Sequence, residues 1–146
     1  MSELLRVSAY SRAERYIGIT EMAGLGKNHP LIQWWMSLCG FGLDVADEVP
    51  WCSGLVNGIA WDLRLPRSKS AMARSWLEIG TSIHILEAQV GFDVVILSRG
   101  AAPSGHVGFF AGWDEGLVRV LGGNQSNRVS IATFPKERIL GVRRLR

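Results

Sequence analysis

Apolar residues recur at helical spacing through the first half of the chain and alternate with polar ones through the second. Leu4, Leu5, Ala9, Ala13, Tyr16 and Ile17 predict a helix across residues 3–17 that stops at Gly18. The Gly-, Asn- and Pro-containing stretch "EMAGLGKNHP" (21–30) reads as a loop. Pro30 suits the first turn of a second helix, "PLIQWWMSLCG". Another loop, "FGLDVADEVP" (41–50), ends on Pro50. Residues 51–64, "WCSGLVNGIAWDLR", predict a mostly apolar helix, and residues 70–79, "SAMARSWLEI", a shorter one with Ser70 as cap and Gly80 at its end.

The period then changes. "FDVVILS" (92–98), "HVGFFAGW" (106–113), "LVRVLGG" (117–123), "RVSIATF" (128–134) and "ILGVRRL" (139–145) read as strands separated by turn residues. The connections are short, and "WDEG" between the second and third is a good hairpin turn, so the expected sheet is antiparallel with about five strands. Helices followed by strands make an α+β pattern. With 146 residues and neither repeat nor linker, the chain reads as one domain over 1–146.

Composition narrows the classes. A hydrophobic share of 47% against 20% charged excludes a disordered chain. The net charge of +3 favours anionic partners, such as cell-wall polymers, nucleic acid or acidic lipid. The arginines cluster only in "GVRRLR" (141–146), with no arginine-rich helix or aromatic platform beside them, so nucleic acid is not an expected partner. No stretch reaches the roughly 18 apolar residues of a membrane span, and no stable membrane insertion is expected. The opening "MSELLRVSAYSRAERY" carries charges throughout, unlike a signal peptide, so synthesis in the cytoplasm and another route outward are expected. Cys39 and Cys52 are too few for a disulfide framework and have no metal-ligand spacing with His29, His84 or His106; no metal site is expected.

Cys52 carries the candidate chemistry. It stands between Trp51 and a Ser-Gly pair at the start of a helix, where a thiolate is favoured. A nucleophilic thiol needs a base, and His is the usual one. His29 lies in a loop and His84 precedes the sheet, whereas His106 opens a strand. Alternation puts His106, Gly108 and Phe110 on one face, and Gly108 would leave room for a helix carrying the thiol. An orienting amide follows in "LVRVLGGNQS": Val118, Val120, Gly122 and Asn124 share a face, expected to be the helix-facing one. Gln125 is the alternative if the two glycines shift the register. Taken singly, each residue also has an ordinary structural explanation, as core thiol, strand histidine or turn; chemistry requires that they converge.

The segment "WCSGLVN" resembles the nucleophile segment of the NlpC/P60 cysteine peptidases, which read Asp-Cys-Ser-Gly-Leu-Val. The ordered series "ITEMAGLGKNHPLI", "DEVPWCSGLVN", "SWLEIG", "FDVVILSRG", "SGHVGFFAGW" and "VLGGNQSNRVSI" is similar to an NlpC/P60-like and CHAP-like group common in bacteriophages and prophages. The similarity runs from about Tyr10 to the last strand. Three departures stand out: Trp51 where Asp is usual, amides at the third position, and a Gly-Asp pair split by Phe92.

The resemblance implies a papain-like α+β core and hydrolysis of a peptidoglycan amide bond through a thioester, without metal or organic cofactor. It implies Cys52 as nucleophile, His106 as base, and Asn124 or Gln125 in the third position. Glu21 matches a family position in its Glu-x-x-Gly, and Glu21 and Trp51 are the candidate substrate-binding residues. Bacterial peptidoglycan is the implied partner, met after release through a holin-type pore or as part of a phage tail. A peptidoglycan-binding or structural virion module on the same fold is the alternative.

Overall fold

The computed structural model describes residues 7–22, 28–42 and 49–146. Three α-helices lead: α1 (Ala9–Glu14), α2 (Pro30–Ser37) and α3 (Cys52–Leu63). Ser8 caps α1 by accepting the Ser11 N–H at 3.0 Å, which starts the helix later than the apolar spacing predicts; residues 3–6 of that expectation lie outside the described residues. Pro30 opens α2 as expected. Helix α3 stops where Arg64 turns left-handed at φ 58°. Residues 70–79 do not form an α-helix. Met72 is the cap of a 3-10 helix at Ala73–Glu78, which buries Trp76.

Six strands follow: β1 (Thr81–Ile83), β2 (Asp93–Ser98), β3 (Gly105–Asp114), β4 (Leu117–Gln125), β5 (Arg128–Pro135) and β6 (Ile139–Arg144). All pair antiparallel in the order β1-β6-β2-β3-β4-β5. The short β1 is one more strand than the pattern predicts. Positive φ at Glu115 and Gly116 closes the β3–β4 hairpin, and at Ser126 and Asn127 the β4–β5 hairpin.

Both faces of the sheet are covered, which is why β2 is apolar without alternation. One face packs Val94, Ile96, Val107, Phe109, Leu121 and Val129 against the helices. The other gathers Val95, Leu97, Phe110, Val118, Val120 and Val142 with Phe134 and Ile139. Residues 52–60 of α3 are buried throughout, so this helix is the centre of the first layer. Its Gly54 and Gly58 let α2 lie close: a Cβ on Gly54 would come within 2.6 Å of the Met36 sulfur, and one on Gly58 would enter the Trp35 ring. Across the sheet, buried Asp93 takes both Nε and Nη2 of Arg144 at 2.7 and 2.9 Å, tying β2 to β6.

Candidate active site

Cys52 is the first residue of α3. Trp51, the N-cap, offers no side-chain acceptor, and the first turn holds no acidic residue. Among the described residues no side chain caps the leading N–H groups of α3, which can face a developing negative charge. The Cys52 side chain is 3% exposed, and burial pushes its thiol up from the ordinary value. The N–H groups of Val107, Ser53 and Cys52 itself, and the charge of Arg99, pull the other way without prevailing. This corrects the expectation of a resting thiolate: the helix terminus contributes, but desolvation is larger. Cys39 is pushed up to about 11 by burial, and its sulfur accepts from Asn57 Nδ2 at 3.5 Å.

The segment after the cysteine holds the wall of a cleft. Ser53 donates to Ser70 O at 2.6 Å and accepts the Trp76 indole N–H at 2.8 Å. Asn57 accepts the Lys69 N–H at 2.9 Å. These bonds fasten residues 68–76 to α3, so that Ala71, Met72 and Ala73 line a cleft of ≈ 260 Å³ together with Cys52, Pro50, Arg99 and residues 103–105. The "CSGLVN" motif thus carries, besides its thiol, a hydroxyl and an amide that build the cleft and two functions for glycine and leucine in the core.

His106 is fully buried. Its Nε2 meets Gln125 Oε1 at 2.9 Å. The Gln125 amide is oriented by its own donors, because Nε2 gives to Ser130 O at 2.8 Å and to Val120 O at 3.3 Å. The oxygen must then face the ring, which assigns the proton of a neutral imidazole to Nε2 and leaves Nδ1 as an acceptor. Nδ1 is buried and has no hydrogen-bond partner. The other two histidines use the same atom to cap a turn: His29 Nδ1 accepts the Leu31 N–H and His84 Nδ1 the Leu86 N–H. Burial, reinforced by Arg99 and Arg138 and opposed by Gln125, lowers the His106 pKa to about 4. Phe134 packs on the ring at 5.4 Å, and Arg138 lies over Phe134.

Three placements differ from the sequence reading. First, Val107 and Phe109, not His106, face the helices; His106 pairs with Leu97 and belongs to the opposite face with Phe110. The Cys52 sulfur lies against the Val107 N–H, one position after His106, where the ladder between β3 and β4, which begins at Phe109↔Leu121, has not yet started. No hydrogen bond joins Cys52 to His106. Gly108 makes room for β4 rather than for a helix, since a Cβ there would meet Val120 and the Leu121 carbonyl.

Second, of the two amides the sequence allowed, the alternative Gln125 and not Asn124 contacts the imidazole. A register shift between Gly122 and Gln125, with Asn124 at φ 60°, moves the parity by one. The two glycines serve opposite faces. A Cβ on Gly122 would fall 2.7 Å from Gln125 Oε1, and one on Gly123 would fall 2.6 Å from the Trp51 ring.

Third, Trp51 is 0% exposed and cannot wall an open cleft. It stacks on Trp35 at 6.1 Å and donates its indole N–H to Glu21 Oε1 at 2.6 Å. Glu21 therefore holds the residue before Cys52 instead of presenting a free carboxylate. Sequence reasoning passed over Arg99, whose only signal is a lone basic residue between a strand and the "GAAPSG" turn. Among the described residues no three His, Cys, Asp or Glu side chains cluster as metal ligands, and no helix is long and apolar enough to cross a membrane.

No family model matches the chain, and no curated protein matches it. Among solved structures it is similar to NlpC1 from Trichomonas vaginalis, with a TM-score of 0.58 and 18% identity over 94% of this chain. It is also similar to an NlpC/P60 family protein from Bacillus cereus ATCC 10987, with a TM-score of 0.53 and 17% identity over 94% of this chain. The chain spans 42% and 39% of the lengths of those two proteins. Helices packed on an antiparallel sheet, with a cysteine opening the central helix and a histidine opening the third strand, give this chain the papain-like α+β fold of the NlpC/P60 proteins.

Proposed function

We propose that the chain is a cysteine hydrolase of bacterial peptidoglycan that cleaves an amide bond of the stem peptide, as an endopeptidase or an N-acetylmuramoyl-L-alanine amidase. The observation that carries the reading is the unpartnered Nδ1 of His106, left as an acceptor by Gln125, on the residue preceding the Val107 N–H that meets the Cys52 sulfur. The Cys52 proton passes to His106 Nδ1 as Sγ attacks the carbonyl carbon. The leading N–H groups of α3 hold the oxyanion. Collapse breaks the C–N bond, the imidazolium gives its proton to the leaving amine, and a thioester remains. Water, deprotonated by Nδ1, adds to the thioester and releases the acid, and the proton returns to the sulfur. Both groups start neutral, so proton transfer accompanies attack rather than preceding it. The setting that accords with the motif resemblance is a phage or prophage lysin, released through a holin-type pore or carried on the tail.

Digestion of purified peptidoglycan by the wild type and by Cys52→Ala, read by mass spectrometry, tests this. Fragments from the wild type alone are expected, and their masses identify the bond. An intact wall with both proteins folded and bound would support the second reading, a peptidoglycan-binding or structural virion module, which the 3% exposure of Cys52 favours.

A further inference from the structure

We propose that Arg99 is the specificity-determining residue of the cleft, its guanidinium holding a free carboxylate of the substrate beside the scissile amide. The inference rests on Cys52 attacking within that cleft. Pro50, Ala71, Met72, Ala73 and Pro103 make the lining mostly apolar, and among the described residues Arg99 is its one charged side chain. Neighbouring arginines are committed elsewhere. Arg138 Nε donates to Ser98 O at 3.0 Å and Arg74 Nε to Ser104 O at 2.7 Å. These two bonds clamp the turn that carries Arg99 at both ends, and Gly105 lets the Arg74 stem close against it. The ion pairs among the described residues are Arg12–Asp62 and Arg144–Asp93, so Arg99 is left exposed with its charge uncompensated by them.

An arginine fork matches a carboxylate with two parallel N–H bonds, and an apolar surround strengthens the attraction. The field of Arg99 reaches both Cys52 and His106, which places the charge close to the reacting centre. A substrate with a free carboxylate next to the amide completes the cleft. Its amidated counterpart leaves the guanidinium unpaired, and a cationic group is repelled.

Two synthetic stem-type peptides, identical except for a carboxylate or a primary carboxamide flanking the scissile amide, separate the cases. The wild type is expected to favour the carboxylate by about 10- to 100-fold in kcat/KM, and Arg99→Gln to bring the ratio within about threefold of unity. Arg99→Lys should keep part of the preference, because it keeps the charge without the fork. Calorimetric binding of both peptides to Cys52→Ala, and to Cys52→Ala with Arg99→Gln, should show the same preference and its loss. Cleavage of both peptides at equal rates would overturn the carboxylate anchor and leave the hydrolase standing. An equal loss on both peptides in Arg99→Gln would overturn it too, limiting Arg99 to an effect on the thiol. Discrimination in binding without cleavage would overturn the hydrolase and leave the anchor. Neither binding nor cleavage would overturn both.

Discussion

Titration of His106 gives the most quantitative check on the site. Its folded pKa is about 4 against an ordinary value of 6.5, because burial disfavours the imidazolium. As pH falls past 6.5 the unfolded chain takes up this proton first, so stability is lost from there downward and the loss is complete below about pH 4. The arithmetic for one such site is about 2 kcal/mol between pH 7 and pH 5, growing to about 3 kcal/mol at saturation. Urea unfolding of the wild type and of His106→Gln at both pH values isolates the effect, since carboxylates and the other histidines titrate in both proteins. The gap between the two proteins should shift by about 2 kcal/mol in favour of the variant at pH 5. A gap that stays constant to within about 0.5 kcal/mol would refute the reasoning. An imidazole signal titrating above 6.5 would refute it differently, by revealing an imidazolium paired with a resting Cys52 thiolate.

Two side-chain changes probe the third position and the core. Gln125→Ala frees the imidazole tautomer and should lower wall hydrolysis on the order of 10²-fold, whereas Asn124→Gly, which tolerates φ 60°, should stay within about threefold. The reverse order would return the role to Asn124. Gly58→Ala should destabilise the protein by about 1–3 kcal/mol in urea unfolding, despite the roughly 1 kcal/mol that Ala gains in a helix, because its methyl enters the Trp35 ring. Any stabilisation would contradict the close packing of α2 on α3.

Much of the fold is legible because its signals are local. Pro30 opens a helix, and Glu115-Gly116 and Ser126-Asn127 turn hairpins through backbone angles that a sequence window contains. The three residues of β1 are too few for alternation to register, and their pairing partner, β6, lies some 60 positions away in the chain. Residues 73–78 look α-helical by spacing, yet Ser53 and Asn57 tether the preceding segment and Trp76 is drawn into the core through Ser53. At the site, Cys52 at a helix start and His106 at a strand start are readable in the same way. Their burial is not.

The residue pattern alone set the succession of the three α-helices and of β2 to β6, the residues that alternate together, and the placing of one thiol and one imidazole at element starts. It put the His106 face of β3 toward the helices, where the fold places Val107 and Phe109, because pleat parity relates neighbours without saying what packs on them. It left open which amide reaches His106, because a one-residue shift at Gly122–Gln125 is settled by pairing with β5. The charge states follow from the packing in three dimensions. A helix terminus favours a thiolate locally, but desolvation depends on everything packed around the sulfur, and here that packing holds both Cys52 and His106 neutral.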